Sequence, residues 1–159
     1  VTVPACMVGA IVVLSLAVAG SRPLPSGGIV DVIEESTPRD ALFIAPIDIQ
    51  TFRSATHRAQ VVDWKHFPFR PDSVAEWRER IEMIAPKADT LGPRAAYDHQ
   101  SPAALAAAAR HYGAEYVMTR EQDLACAGAS LLLEDRFGYH VFEVGPRDWQ
   151  PEGCEEAAP

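Results

Sequence analysis

The first twenty residues, Val1 to Gly20, carry no charged side chain. A helix needs about 20 mostly apolar residues to cross the roughly 30 Å hydrocarbon core of a bilayer, so this run limits what the rest of the chain can be. A secretory signal peptide would need a basic flank before the apolar stretch and a small-x-small cleavage site behind it. Ala17-Val18-Ala19 offers the site, but no Lys or Arg precedes the run and no Met opens it. The favoured expectation is a transmembrane helix over residues 1–21, the last of several in a longer chain, with a signal peptide as the alternative. In either case the part beyond Arg22 is expected outside the cytoplasm.

The roughly 135 residues that follow suffice for one domain with a real core and are too few for two. The formal net charge is −8. That balance argues against nucleic acid as a partner, since phosphate backbones call for basic stripes, and against a polybasic membrane-binding surface. Of the three cysteines, Cys6 lies in the apolar run, and no C-x-x-C spacing occurs. Cys126 and Cys154 read more simply as isolated thiols than as a disulfide.

Punctuation by proline and glycine divides the remainder. Residues 22–28 form a linker, where prolines stop the helix and glycines loosen the chain. Ile29 to Ser36 has helical spacing with Ile29, Val32 and Ile33 on one side, and Pro38 ends it. Ala41 to Ala45 is a short apolar run expected as a buried strand. Ile49 to Thr56 suits a short helix within the crossover to a second strand at Gln60 to Asp63. Pro71-Asp72-Ser73 opens a helix whose Ser73 and Glu76 are spaced as a capping box, with Val74, Trp77, Ile81 and Ile84 on one face. Ala88 to Gln100 reads as irregular, either a lid or plain surface loop. Ser101, Pro102 and Gly113 mark the two ends of the next helix. A strand at Glu115 to Met118 and a hairpin of Ser130 to Leu133 with Tyr139 to Val144 complete the order. The expected fold is α/β: a transmembrane helix, then a soluble domain over residues 29–145 with a small mixed sheet in a three-layer, Rossmann-like arrangement and a C-terminal β-hairpin. Residues 146–159 are expected as a disordered acidic tail.

Ligands of open α/β sheets gather beyond the carboxyl ends of the parallel strands. Asp48 and Arg53 follow the first strand there, Asp63, Trp64, Lys65 and His66 the second, and Thr119 and Arg120 the third. Arg53, Arg58 and Lys65 would suit a phosphate, the arginines as bidentate forks and the lysine as a point charge. Trp64 offers a flat apolar face and one N–H donor for a sugar ring or a partner's side chain. Against this stands a structural reading, in which Asp63 pairs with Arg53 or Arg58, Trp64 fills the core and Lys65 is solvated. The candidate ligand residues are thus Arg53, Arg58, Asp63, Trp64, Lys65 and Arg120. His57, His66 and Asp63 could converge on a metal, but no H-x-x-x-H spacing supports it, and neither a metal nor a cofactor is expected. The markers G-x-S-x-G, G-x-G-x-x-G and the Walker sequence are all absent, so no reaction is named.

Several pieces carry a resemblance. The apolar run is followed by a helix ending in Thr37-Pro38-Arg39-Asp40-Ala41. A strand comes next, then the segment from Arg58 through Val62-Asp63-Trp64-Lys65 to Pro68, and later the junction Tyr112-Gly113-Ala114-Glu115-Tyr116-Val117 before the closing hairpin. This order resembles the C-terminal soluble domain of uncharacterised bacterial polytopic membrane proteins, a domain of unknown function, and the architecture of lipid-linked-sugar glycosyltransferases. The resemblance implies an inner-membrane location. It also implies as partners membrane lipid, a lipid-linked sugar or saccharide, and other transmembrane helices of the same chain. In glycosyltransferase-like families the catalytic carboxylates lie in loops of the membrane portion, so no catalytic residue carries over. The leading functional expectation is a non-catalytic extracytoplasmic domain that contacts a saccharide, a lipid-linked phosphate or a partner. One alternative is a free-standing hydrolase or transferase using Asp63 with His57 or His66. Another is a purely structural module packed on the membrane portion.

Overall fold

The structure is a computed structural model that describes residues 28–120, 123–135 and 137–145. The expected transmembrane helix and acidic tail lie outside the described residues. No helix among the described residues is long and apolar enough to cross a membrane.

The chain alternates as its punctuation predicts. Helix α1 (Ile29–Ser36) leads to β1 (Leu42–Ile44), α2 (Phe52–Thr56) and β2 (Ala59–Gln60). Four helices follow: α3 (Pro71–Ile84), α4 (Ala88–Leu91), α5 (Pro93–Asp98) and α6 (Pro102–Tyr112). Strand β3 (Tyr116–Thr119), a 3₁₀ turn (Ala125–Ala127), β4 (Ala129–Glu134) and β5 (His140–Val144) complete the fold. The five-stranded mixed sheet has the order β2-β1-β3-β5-β4. β1 runs parallel to β2 and β3, and β5 runs antiparallel to both β3 and β4.

Alternation along the strands divides the core into two clusters. Phe43, Tyr116, Met118 and Val141 pack with Ile29 and Ile33 of α1 and Phe52 of α2. Ile44, Val117 and Phe142 pack instead with Ile81, Ile84, Tyr97 and Leu105 of the helices between β2 and β3. Each of these large side chains is withdrawn from water almost completely, a contribution of about 1.5–3 kcal/mol apiece. Phe43 also stacks on Tyr116 at 5.0 Å and tilts against Phe52 at 5.3 Å.

Three expectations need correction. The second strand lies earlier than Gln60 to Asp63, because pairing with β1 ends once the Val61 N–H has bonded to the Phe43 carbonyl (2.9 Å). Beyond it the Asp63 side chain bends the backbone into a turn by accepting from the N–H groups of Lys65 (3.0 Å) and His66 (2.7 Å). The capping box does not form: α3 starts at Pro71, Arg70 is the N-cap, and Glu76 pairs with Arg80 one turn on. Proline at the first helical position is pre-set for helix entry and holds Arg70 extended, so the start falls two residues before Ser73. Finally, residues 88–100 are no loose lid. They form α4 and α5, pinned by Tyr97, which is wholly buried and donates its hydroxyl to the Met118 carbonyl (2.7 Å). By contrast, α6 begins as expected, with Ser101 accepting from the Ala104 N–H and Pro102 behind it.

Candidate functional site

The six candidate residues separate into three environments. Arg58 is buried behind the end of α1. Its guanidinium donates to the carbonyls of Glu34 (2.9 Å), Thr37 (2.7 Å) and Thr56 (3.2 Å) and to the Thr37 hydroxyl (3.0 Å). These acceptors lie at the carboxyl ends of α1 and α2, where helices leave carbonyls unpaired and carry partial negative charge. The planar fork of arginine reaches both ends at once, a geometry lysine cannot supply. With its donors turned inward in this way, Arg58 serves the fold and is not poised for a phosphate.

Asp63 is the hub of the second environment. One carboxylate oxygen accepts the two turn amides, and the other meets Arg53 (3.0 Å) and His66 Nδ1 (2.7 Å). Its carbonyl accepts the Trp77 indole N–H (2.9 Å). Asp63 therefore pairs with Arg53, as one expected pairing has it, and not with Arg58. The aspartate side chain is 2% exposed and the arginine 49%, so water screens the arginine end of the pair. His57 does not join this group: it pairs with Glu34 (2.7 Å). Among the described residues, no three His, Cys, Asp or Glu side chains cluster as a metal would need.

The third environment lies at the topological switch point. From β1 the chain crosses to β2 on one side, and β3 flanks β1 on the other, so a crevice opens beyond the carboxyl ends of β1 and β3. Arg120 fills it, bonding Asp48 behind β1 (2.6 Å) and Asp98 of α5 (2.7 Å), with the Tyr139 ring alongside. Burial alone would lower the Arg120 pKa, but hydrogen bonds and charge from Asp48 and Asp98 outweigh it and raise it above the ordinary arginine value. Beside it, burial pushes the Tyr97 phenol well above the usual tyrosine range, with Arg120 pulling the other way. Asp48 is expected at this edge from its place behind the first strand, whereas Asp98 stands in the stretch expected to be irregular. The i, i+4 spacing of Arg94 and Asp98, an ion pair at 3.5 Å, was a helix signal that could have found it.

Trp64 and Lys65 remain. Lys65 is exposed, and its backbone N–H, not its ammonium, engages Asp63. Trp64 neither fills the core nor stands free. It rests half-buried against the core and lines a groove of about 370 Å³ with Phe67, Trp77, Ile81 and Ala85. Trp64 and Phe67 both contact Trp77, at 5.8 and 5.2 Å between ring centroids. Arg78, Glu82, Lys87 and Asp89 also line the groove. Trp77 also lines a second recess, of about 200 Å³, with Arg53, Asp63, His66, Glu76 and Arg80. Trp77 thus walls both spaces, a role hidden by its place on the apolar stripe of α3.

A family model described as a domain of unknown function (DUF6798) matches residues 26–84. The matched stretch runs from α1 through α3 and contains Arg53, Arg58, Asp63, Trp64 and Lys65, while Arg120 falls outside it. No curated protein and no solved structure matches the chain.

Proposed function

We propose that this is a non-catalytic binding domain, attached to a bacterial membrane through its apolar leading segment, that takes the sugar of a lipid-linked or free saccharide in the groove beside Trp64. The observation that carries the reading is the set of three aromatic rings, Trp64, Trp77 and Phe67, lining a groove that charged side chains also border. Aromatic faces take up the apolar face of a sugar ring, and a few polar groups around such a pocket fix its hydroxyls. A phosphate on the same ligand would enter the recess that Trp77 also lines by exchanging the carboxylate partners of Arg53 and Arg80, Asp63 and Glu76, for its own oxygens. The non-catalytic part rests on Asp63, whose carboxylate already meets two amides, an arginine and an imidazole, leaving little room for substrate. The glycosyltransferase-like setting belongs to the proposal, as the source of such a ligand.

The test is a tryptophan-fluorescence titration of the full chain with neutral hexoses, amino sugars and their 1-phosphates. A saturable change that disappears in Trp64→Ala is expected. A flat response across the whole panel would sink the reading.

A further inference from the structure

We infer that the loop of residues 64–70 is a membrane-contacting surface that rests among the headgroups of an anionic bilayer and brings the Trp64 groove to the lipid–water boundary. The inference rests on the proposed membrane attachment. Its first ground is the treatment of phenylalanine. Phe43, Phe52 and Phe142 are fully buried and Phe67 and Phe137 are half exposed (51% and 49%), whereas Phe69 alone of the six is completely exposed (101%). Phe69 stands two residues from half-exposed Phe67, and such a pair suits the membrane–water interface, where aromatic side chains collect.

The second ground is charge. Between Asp63 and Asp72 the chain reads Trp-Lys-His-Phe-Pro-Phe-Arg-Pro, with Lys65 and Arg70 and no acid, inside a protein of net charge −8. The local patch therefore reverses the sign of the whole, and the overall charge had argued against any basic membrane surface. The acids beside it are Asp63, paired with Arg53 and hydrogen-bonded to His66, Asp72 in the first turn of α3, and Glu76, paired with Arg80. Glu82 and Asp89 line the groove further along α3 and α4.

Rigidity is the third. Asp63 holds the base of the loop through two amides, the Trp64 N–H bonds to the Ile47 carbonyl (2.9 Å), and Pro68 and Pro71 restrict the rest. A surface already fixed in shape loses little freedom on docking. Finally, residues 22–28 can span at most about 25 Å when fully extended. If residues 1–21 sit in lipid, the start of α1 stays within that distance of the bilayer, and the whole domain is held close to a lipid surface.

The test uses ¹⁹F NMR of the full chain labelled with 4-fluorophenylalanine. The Phe67 and Phe69 signals are identified through Phe67→Leu and Phe69→Leu, and the chain is reconstituted in vesicles of phosphatidylglycerol or of phosphatidylcholine. A water-soluble paramagnetic agent is expected to broaden the Phe69 signal much less in phosphatidylglycerol than in phosphatidylcholine. Arg70→Ala should reduce the buried-to-exposed ratio roughly fivefold, the usual effect of one basic residue at an anionic surface. If the chain floats with both kinds of vesicle while Phe69 stays equally open to the agent in each, the loop inference fails and membrane attachment stands. A chain that floats with neither kind overturns both.

Discussion

The switch-point crevice and the loop after β2 both lie beyond the carboxyl ends of the parallel strands, yet they treat charge in opposite ways. In the crevice, Arg120 is nearly enclosed and bonded to two carboxylates, and Asp48 beneath it is 3% exposed. In the loop, Lys65 and Arg70 point their charge at water, and the neighbouring aromatic rings are left half-covered or bare. Position on the sheet therefore does not decide which charges are enclosed and which are left facing water. Where the polar groups find partners within the chain they fasten strands and helices together, and chemistry available to a ligand is left where they do not. The contrast also explains Arg58, which looks like part of a cationic row in the sequence but spends its donors on helix ends.

The sharpest way to break this comparison is Arg120→Ala. Removing the arginine leaves Asp48 buried with its charge uncompensated and Asp98 without its closest cation. Losing one partner of a buried pair typically costs about 3–5 kcal/mol, and urea unfolding of the folded chain should show a loss of that order. A loss below about 1 kcal/mol would mean that the crevice is not a structural lock, and the distinction between the two regions would fall.

A smaller effect concerns Tyr97, packed beside the same lock. Replacing it with Phe keeps the ring and removes the hydrogen bond to the Met118 carbonyl, a change of about 1 kcal/mol at neutral pH. The pH dependence sharpens the point. A phenol whose pKa is raised on folding keeps its proton in the native state, while the unfolded chain releases it above pH of about 10. Stability contributed by the neutral phenol is complete below that value and declines as pH rises beyond it. Denaturation midpoints measured on the alkaline side should therefore fall more steeply for the parent than for Tyr97→Phe. Equal slopes would show that the Tyr97 ring is not held neutral by its burial.

Much of the architecture was legible because its signals are local. Ser101-Pro102 and Gly113 bracket α6, Pro38 stops α1, and the apolar run around Phe43 makes a buried strand. The sheet's mixed character followed from strands alternating with helices before a closing hairpin. The failures have two physical causes: one local signal overriding another, and tertiary partners deciding between local options. Ser73 and Glu76 have capping-box spacing, but Pro71 starts the helix earlier and Arg80 takes Glu76. Residues 88–100 carry turn formers, yet Tyr97 finds a carbonyl on β3, across 21 residues of sequence, and two helical turns form around it. At the candidate site the residue types were found and their division was not. That Arg58 turns inward, Arg53 meets Asp63 and Arg120 belongs to a separate crevice depends on contacts between elements that spacing alone does not encode. Trp77 was visible only as one more apolar residue on a helix face.

The smallest expected effect on stability is the most informative about the loop. Lys65 contributes its backbone N–H to the Asp63 turn, and alanine keeps that N–H, so Lys65→Ala should leave the unfolding free energy within about 0.5 kcal/mol of the parent, as for surface changes away from caps and cores. Trp64→Ala is less clean, because the ring also rests on the core cluster and truncating it opens space there. Lys65→Ala therefore separates the two roles better than the tryptophan change does. If the loop is a contact surface, the Phe69 signal of the variant should be several-fold more open to the water-soluble agent in phosphatidylglycerol vesicles than that of the parent, while the variant melts like the parent. A variant that melts early instead would place Lys65 with Arg58 and Arg120 as part of the fold's own fastening, and the available chemistry would shrink to the aromatic groove alone.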